Sequence, residues 1–325
     1  MPGAPSIERA VQVLRAGGLV AFPTETVYGL GADAENPRAV ERIFAVKGRP
    51  LSHPLILHIG NARELEDWAI QVPELAHRLA ESFWPGPLTL VLRRSPRVPK
   101  VVTGGLETVA LRVPEHEVAQ ALLSSFGGGI AAPSANRFGA VSPTTPEHVR
   151  EGLGEDVDYI LDGGPCRVGV ESTIVDVSGD APMILRPGGT TREELERVLG
   201  RSLPVHSGGP VRVPGQHPLH YAPVAKMVLV AADQLLPEAR RWQQEGYRVG
   251  LLLPPGTSPA DPSGTVHAVV TIPDTLTEYA HRLYGLLWEL DHRGCEVIVV
   301  SLPPPDGLGL AIADRLRRAA GPRTP

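Results

Sequence analysis

A chain of 325 residues that is 42% hydrophobic and 21% charged holds enough apolar material for about two domains of ordinary size. Its net charge of -5 argues against a general nucleic-acid coat protein, and its two cysteines, Cys166 and Cys295, argue against a disulfide framework or a structural zinc cluster. The start Met1-Pro2-Gly3-Ala4-Pro5 has neither the basic nor the apolar segment of a signal peptide, and no apolar run reaches the ~20 residues that span a bilayer, so a reducing cytoplasm is the expectation.

In chain order, Ser6 to Ala16 reads as a helix: Ile7, Ala10, Val11 and Leu14 share a face, Ser6 caps, and Gly17-Gly18 ends it. Leu19 to Phe22 is a short buried strand stopped by Pro23. A second helix runs from Pro37 to Lys47 with Val40, Ile43 and Phe44 inward, and Pro54 to Ile59 is a strand. The apolar spacing predicts one helical stretch from Leu65 to Phe83, halted by Trp84-Pro85-Gly86-Pro87. Strands follow at Leu88 to Leu92 and Thr108 to Val113, then a helix at Glu117 to Phe126, and Gly129 to Ala132 leads as a strand into Pro133-Ser134-Ala135-Asn136. Glu171 to Val177 and Met183 to Arg186 are strands, and Thr191 to Leu199 is a helix.

From about Leu203 to Val224 the chain is rich in Pro, Gly and His and loses its periodicity, as a linker does. Beyond it, strands (Met227 to Val230, Arg248 to Leu253, Val266 to Val270, Glu296 to Val300) alternate with helices (Leu235 to Glu245, Leu276 to Arg293, Gly307 to Ala320). That alternation predicts a small parallel α/β domain.

There is no G-x-x-x-x-G-K-[ST] loop, G-x-S-x-G elbow or H-E-x-x-H helix, so three common routes to nucleotide, acyl and metal chemistry are closed. What remains is a set of polar clusters at strand ends and in Gly/Pro-shaped loops. They are Thr24-Glu25-Thr26 with Tyr28; Lys47-Gly48-Arg49-Pro50 with His53 and His58; Arg112; Pro133-Ser134-Ala135-Asn136 with Ser142; Glu171-Ser172-Thr173; and Arg186. Each has a plain structural reading. Lys47 and Arg49 satisfy helix carbonyls, the hydroxyls form turns, His58 is a hydrogen-bonded strand residue, and Cys166 is a small residue in a turn. Arg112 resists most, because an arginine in an apolar strand requires an anionic partner if buried. Together, Lys47, Arg49, Arg112 and Arg186 offer cationic donors and Thr26, Thr108, Ser134, Ser142 and Ser172 neutral ones, with few carboxylates beside them. That mixture suits polyphosphate and a carboxylate, and chemistry by positioning and charge neutralisation.

The runs Phe22-Pro23-Thr24-Glu25-Thr26-Val27-Tyr28-Gly29-Leu30-Gly31, Lys47-Gly48-Arg49-Pro50, Trp84-Pro85-Gly86-Pro87-Leu88-Thr89, Arg112-Val113-Pro114, Ala132-Pro133-Ser134-Ala135-Asn136 and Glu171-Ser172-Thr173-Ile174-Val175-Asp176 resemble the YrdC-like family in wording, order and spacing, from about Ser6 to Gly200. Pro214-Gly215 and His220-Tyr221-Ala222-Pro223 resemble its longer, two-domain form. The resemblance implies an α/β fold: a YrdC-like twisted open sheet around a basic cavity (residues 1–202), a linker acting as a lid (203–224), and a smaller C-terminal Rossmann-like parallel α/β domain (225–325). It also implies an L-threonylcarbamoyladenylate synthase, a nucleotidyltransferase. Such an enzyme joins L-threonine, bicarbonate or CO2, and ATP into threonylcarbamoyl-AMP and pyrophosphate, for downstream machinery that modifies tRNA. Neither a membrane nor a stable direct nucleic-acid complex is implied.

Carried over residue by residue, the resemblance assigns catalysis to Lys47 and Arg49, and L-threonine to Thr26, His58, Arg112, Ala132 and Ser172, with Arg112 on the substrate carboxylate. It assigns ATP to Lys47, Arg49, His53, Thr108, Ser134, Asn136, Ser142, Arg186 and Tyr221. Mg2+ would arrive with ATP, held by its phosphates, with no metal site of the protein's own. The rival reading is a YrdC-like module that grips RNA without catalysis.

Overall fold

The structure, a computed structural model, describes residues 4–206, 220–257 and 266–322. The described chain divides into two compact units: residues 4–138 with 142–206, and residues 139–141 with those from 220 onward.

The first unit opens with helix α1 (Ala4–Arg15), strands β1 (Val20–Phe22) and β2 (Gly29–Asp33), helix α2 (Pro37–Lys47) and strand β3 (Ile56–His58). Helix α3 (Leu65–Trp68), strand β4 (Ala69–Ile70), helix α4 (Glu74–Phe83), and strands β5 (Leu88–Arg94) and β6 (Thr108–Arg112) follow. Then come α5 (Glu117–Phe126), β7 (Ile130–Ala132), α6 (Pro146–Leu153), β8 (Tyr159–Ile160), β9 (Thr173–Asp176), β10 (Met183–Arg186) and α7 (Arg192–Leu199). The strands form one mixed sheet in the order β10-β9-β5-β6-β3-β7-β2-β1-β8, with β4 paired to β5. Local chemistry sets the helix ends. In α2 the Asn36 side chain accepts from Ala39 N–H, Pro37 occupies the first turn, and Gly48 at φ 66° turns the chain out.

The sheet's pleat separates core from site. Leu57, Leu90, Leu92, Val109, Leu111, Ala131 and Val175 point to one face, where they join Ile43, Phe44, Trp68 and Leu79 in the main core. The opposite face carries a smaller apolar floor of Ile56, Val91, Ala110, Ile174 and Leu185. In register with that floor, His58 lies opposite Arg112 at the ends of the parallel pair β3 and β6. The polar residues therefore stand at the margin of a dry patch.

Three local readings are corrected. The single helix predicted from Leu65 to Phe83 is two, α3 and α4, separated by β4, whose Ala69 and Ile70 pair with Arg94 and Arg93. Pro73 disfavours helix at the residue before it and has no N–H to continue a helical ladder, while the apolar spacing runs on past it. Gly29–Asp33 is a strand, closing a hairpin on β1 with Phe22 opposite Gly29. Glycine is required here by contact: a Cβ on Gly31 would lie 2.7 Å from Ile130 Cγ2 and 2.8 Å from Phe22 Cε1. Finally, α6 and β8 fill a stretch in which the sequence pattern predicts no element. The start of α6 carries an ordinary signal, Thr145 accepting from His148 N–H with Pro146 in the first turn.

The second unit is a parallel α/β layer structure, as expected. Its elements are β11 (Lys226–Val230), α8 (Leu235–Gln244), β12 (Val249–Leu253), β13 (Ala268–Thr271), α9 (Leu276–His292), β14 (Val297–Ser301) and α10 (Leu308–Ala319). The four strands pair in parallel in the order β11-β14-β12-β13. Leu235 and Ala239 of α8 pack on Val249, Leu251, Leu253, Val297 and Val299. The residues expected to open the linker lie along β10, with Ile184 N–H donating to Pro204 O at 2.9 Å and His206 N–H to Ile184 O at 2.8 Å. Residues 207–219 of that expected linker, Pro214 and Gly215 among them, lie outside the described residues. Among the described residues, no helix is long and apolar enough to cross a membrane.

Candidate active site

The loop of the β1–β2 hairpin is built around one hydroxyl. Thr24 Oγ1 donates to Val27 O at 2.7 Å and accepts the N–H groups of Thr26 (3.1 Å) and Val27 (3.2 Å). With that proton spent, the 2.7 Å contact between the Thr24 and Thr26 hydroxyls takes its proton from Thr26. Thr26 Oγ1 is then an acceptor, and Arg112 Nη1 donates to it at 3.0 Å. Arg112 Nε donates to Gly86 O at 3.3 Å, and Nη2 lies 2.7 Å from Glu25 Oε2. That last contact is a charge pair off the hydrogen-bonding direction, because neither Glu25 oxygen nor Arg112 Nη2 has a hydrogen-bond partner among the described residues. Both side chains are buried, so the anion that Arg112 demanded is Glu25, 87 residues away in the chain.

Beside this pair the sheet margin carries more hydroxyls and a second arginine. Thr89 Oγ1 and Ser172 Oγ meet at 2.8 Å. Arg186 donates through Nη2 to Ser172 O (2.8 Å) and Ser172 Oγ (3.2 Å). Ser142 Oγ donates to Glu171 Oε1 at 2.7 Å. Thr108 is half-buried on the same face of β6 as Arg112, and Ala132 stands opposite Ile56 on β7.

Lys47 and Arg49 form a second group. Lys47 Nζ donates to Ser134 O (2.6 Å), Asn136 O (2.5 Å) and Asn136 Oδ1 (3.4 Å), tying the end of α2 to the loop after β7. Burial, then the neighbouring Arg49 and Arg137, push the Lys47 pKa well below the usual lysine range. Three carbonyl acceptors nevertheless match the three protons of the ammonium form. Arg49 Nη2 donates to Pro54 O at 2.9 Å with its guanidinium 5.8 Å from the Phe138 ring centre, and His53 meets the same ring edge-on at 5.4 Å. The two groups are stitched together by backbone: Tyr28 N–H donates to Pro143 O, Leu30 N–H to Pro133 O, and Ala135 N–H to Tyr28 O, at 2.8–2.9 Å.

The fold thus gathers Thr26, His58, Arg112, Ser172, Arg186 and Ser142 along one margin, and Lys47, Arg49, His53, Ser134 and Asn136 along the adjoining loops. Tyr221 belongs to the second unit, where it stacks on Tyr284 with ring centres 5.9 Å apart and the Arg315 guanidinium 5.0 Å over its ring. Sequence reasoning leaves Glu25 unassigned and passes over Thr89. A cavity of about 690 Å3 touches this ensemble only through Glu25, its walls otherwise including Glu115, Glu117, Asp162 and Arg167. That cavity is carboxylate-rich, with Glu25, Glu115, Glu117 and Asp162 in its lining, whereas the buried donors stand at the sheet margin. Among the described residues, no group of three or more His, Cys, Asp or Glu side chains converges as a metal cage.

His58 supplies a pH test of this packing. Burial first, and then Arg112, hold its pKa down to about 3. Unfolded, the imidazole titrates near ~6.5. Between these values the unfolded chain binds the extra proton, so stability falls as pH drops through that window. From pH 7 to pH 5 this residue is expected to remove about 2 kcal/mol of stability. In denaturant unfolding at the two pH values, His58→Gln should lose that much less than the parent. An unchanged difference would contradict a neutral, buried His58.

The family model described as "Telomere recombination" matches residues 12–188, and that described as "Threonylcarbamoyl-AMP synthase, C-terminal domain" matches residues 190–321. The chain is 44% identical over 330 residues to the threonylcarbamoyl-AMP synthase of Pyrococcus abyssi, covering 98% of this chain and 94% of that protein. It is 42% identical over 332 residues to the Bacillus subtilis protein of the same name, again covering 98% and 94%. The crystal structure of P. abyssi Sua5 complexed with L-threonine superposes with a TM-score of 0.90 at 43% identity, covering 97% of this chain and 94% of that one.

Proposed function

This chain belongs to the Sua5–YciO–YrdC family, and we propose that it is an L-threonylcarbamoyladenylate synthase, a nucleotidyltransferase using L-threonine, bicarbonate or CO2, and ATP. The observation that carries the reading is the buried Arg112, fixed by Thr26 beside Ser172 and Arg186, in a fold whose P. abyssi counterpart was crystallised with L-threonine.

In the proposed complex, Arg112 faces the threonine carboxylate, with Thr26, His58, Ala132 and Ser172 around the amino acid. His58, neutral at physiological pH, adds no second charge. The nucleotide lies against Lys47, Arg49, His53, Thr108, Ser134, Asn136, Ser142 and Arg186. The threonine amine adds to CO2 and releases a proton, giving a carbamate. A carbamate oxygen attacks the α-phosphorus in line, the bond from that phosphorus to the bridging oxygen breaks, and pyrophosphate leaves. Lys47, Arg49 and Arg186 neutralise charge on the phosphoryl oxygens from positions their protein acceptors already fix, so little reorganisation accompanies the step. Mg2+ enters as the ATP complex, held mainly by the phosphates. The product would supply a transferase acting on tRNA. The test is pyrophosphate release from Mg-ATP with each substrate omitted in turn; release indifferent to threonine would sink the proposal.

A further inference from the structure

The chemistry above gives no part to Tyr28, whose side chain is fully buried just beyond Thr26 and Val27. Its hydroxyl ties down the backbone of a loop far away in the chain. It donates to Gly164 O at 2.8 Å and accepts from Gly163 N–H at 3.2 Å. Burial raises the pKa of the phenol, so this donor keeps its proton throughout the physiological range. The loop packs as close as a backbone can. A Cβ on Gly163 would lie 2.5 Å from Pro23 Cγ and 2.8 Å from His116 Cε1, and Gly164 turns the chain at φ 76°.

From Gly164 the chain returns to the hairpin loop and is pinned twice more. Cys166 N–H donates to Thr144 O at 2.9 Å, and Val168 N–H donates to Glu25 O at 2.6 Å. Glu25 O belongs to the peptide that enters Thr26. Residues 163–168 are therefore a strap, with one end on the Tyr28 hydroxyl and the other on the Glu25–Thr26 peptide. Those two residues set the outer nitrogens of Arg112, Nη1 on Thr26 and Nη2 beside Glu25. Ser172, further along the same segment, is held independently of the strap, since Thr173 N–H donates to Pro87 O and Gly189 N–H to Glu171 O. Lys47 is held by Ser134 and Asn136. Loosening the strap disturbs Arg112 and leaves the cations at the end of α2 in place.

We propose that Tyr28 is a positioning residue for threonine: through the strap of residues 163–168 it fixes the Glu25–Thr26 peptide, and through that peptide Arg112. The inference rests on the reading of Arg112 as the partner of the threonine carboxylate. Calorimetric titration of the full-length chain tests it, with L-threonine and ATP titrated separately into the parent and into Tyr28→Phe. Phenylalanine keeps the ring but leaves Gly163 N–H and Gly164 O without their shared partner. Threonine should then bind about tenfold more weakly, and ATP within about twofold of the parent. Gly163→Ala, which drives the strap off Pro23 and His116, should reproduce that split and carries the test if Tyr28→Phe folds poorly. Together the two substitutions should weaken threonine no further than the stronger one alone, because both release the same strap. A lowered melting temperature with threonine affinity within about twofold of the parent would make the bridge a matter of stability only and overturn the proposal. Equal weakening of both ligands would overturn it too. A parent that binds no threonine would remove the reading of Arg112 itself, and the inference with it.

Discussion

Arg112→Ala is expected to raise the KM for threonine about 100-fold while the KM for ATP moves by less than about threefold. The asymmetry follows from where the guanidinium lies: on Thr26 and Glu25 at the end of β6, with Lys47 and Arg49 in a separate cluster. The substitution also strands Glu25 as a buried, unpaired carboxylate, which costs about 3–5 kcal/mol. Arg112→Ala combined with Glu25→Gln separates the two effects. The pair should recover most of the lost stability, because the stranded charge is gone, and none of the threonine affinity. Recovery of threonine affinity in the double variant, or an equal loss for both substrates in the single one, would remove Arg112 from the substrate.

Lys47→Met is expected to lower kcat about 10²–10³-fold. Two contributions combine. The methionine carries no charge toward the nucleotide, and it leaves the carbonyls of Ser134 and Asn136 without their shared donor, so the loop bearing both residues loses its fixed position. Lys47→Arg should not restore the rate, since a planar fork cannot reproduce three donors converging from one nitrogen. Threonine-dependent pyrophosphate release checks both variants. An arginine variant within about threefold of the parent would reduce Lys47 to a point charge.

Much of this site is legible in the amino-acid sequence, and the reason is local. Lys47 followed by Gly48 at a helix end, or Ser134 and Asn136 behind a short apolar strand, are chemistry and punctuation within a few residues of each other. Arg112 stands out because an arginine among Val109, Ala110 and Leu111 breaks the strand's apolar pattern. What answers it does not, because Glu25 and Arg112 meet only when β1 and β6 take their places in the sheet. The same limit hides β2. Gly29-Leu30-Gly31-Ala32-Asp33 has little strand propensity of its own, and Phe22, Ile130 and Ala131 across the sheet make it a strand. The break at Pro73 is legible but is outweighed by the apolar spacing around it. In the second unit the strand–helix alternation points to the parallel sheet.

The central claim rests most directly on the fate of radiolabelled bicarbonate. The full-length chain with Mg-ATP, L-threonine and labelled bicarbonate should yield labelled threonylcarbamoyl-AMP and pyrophosphate in equal amounts, and neither when threonine is withheld. Pyrophosphate released without label entering an adenylate, or release that continues without threonine, would contradict it.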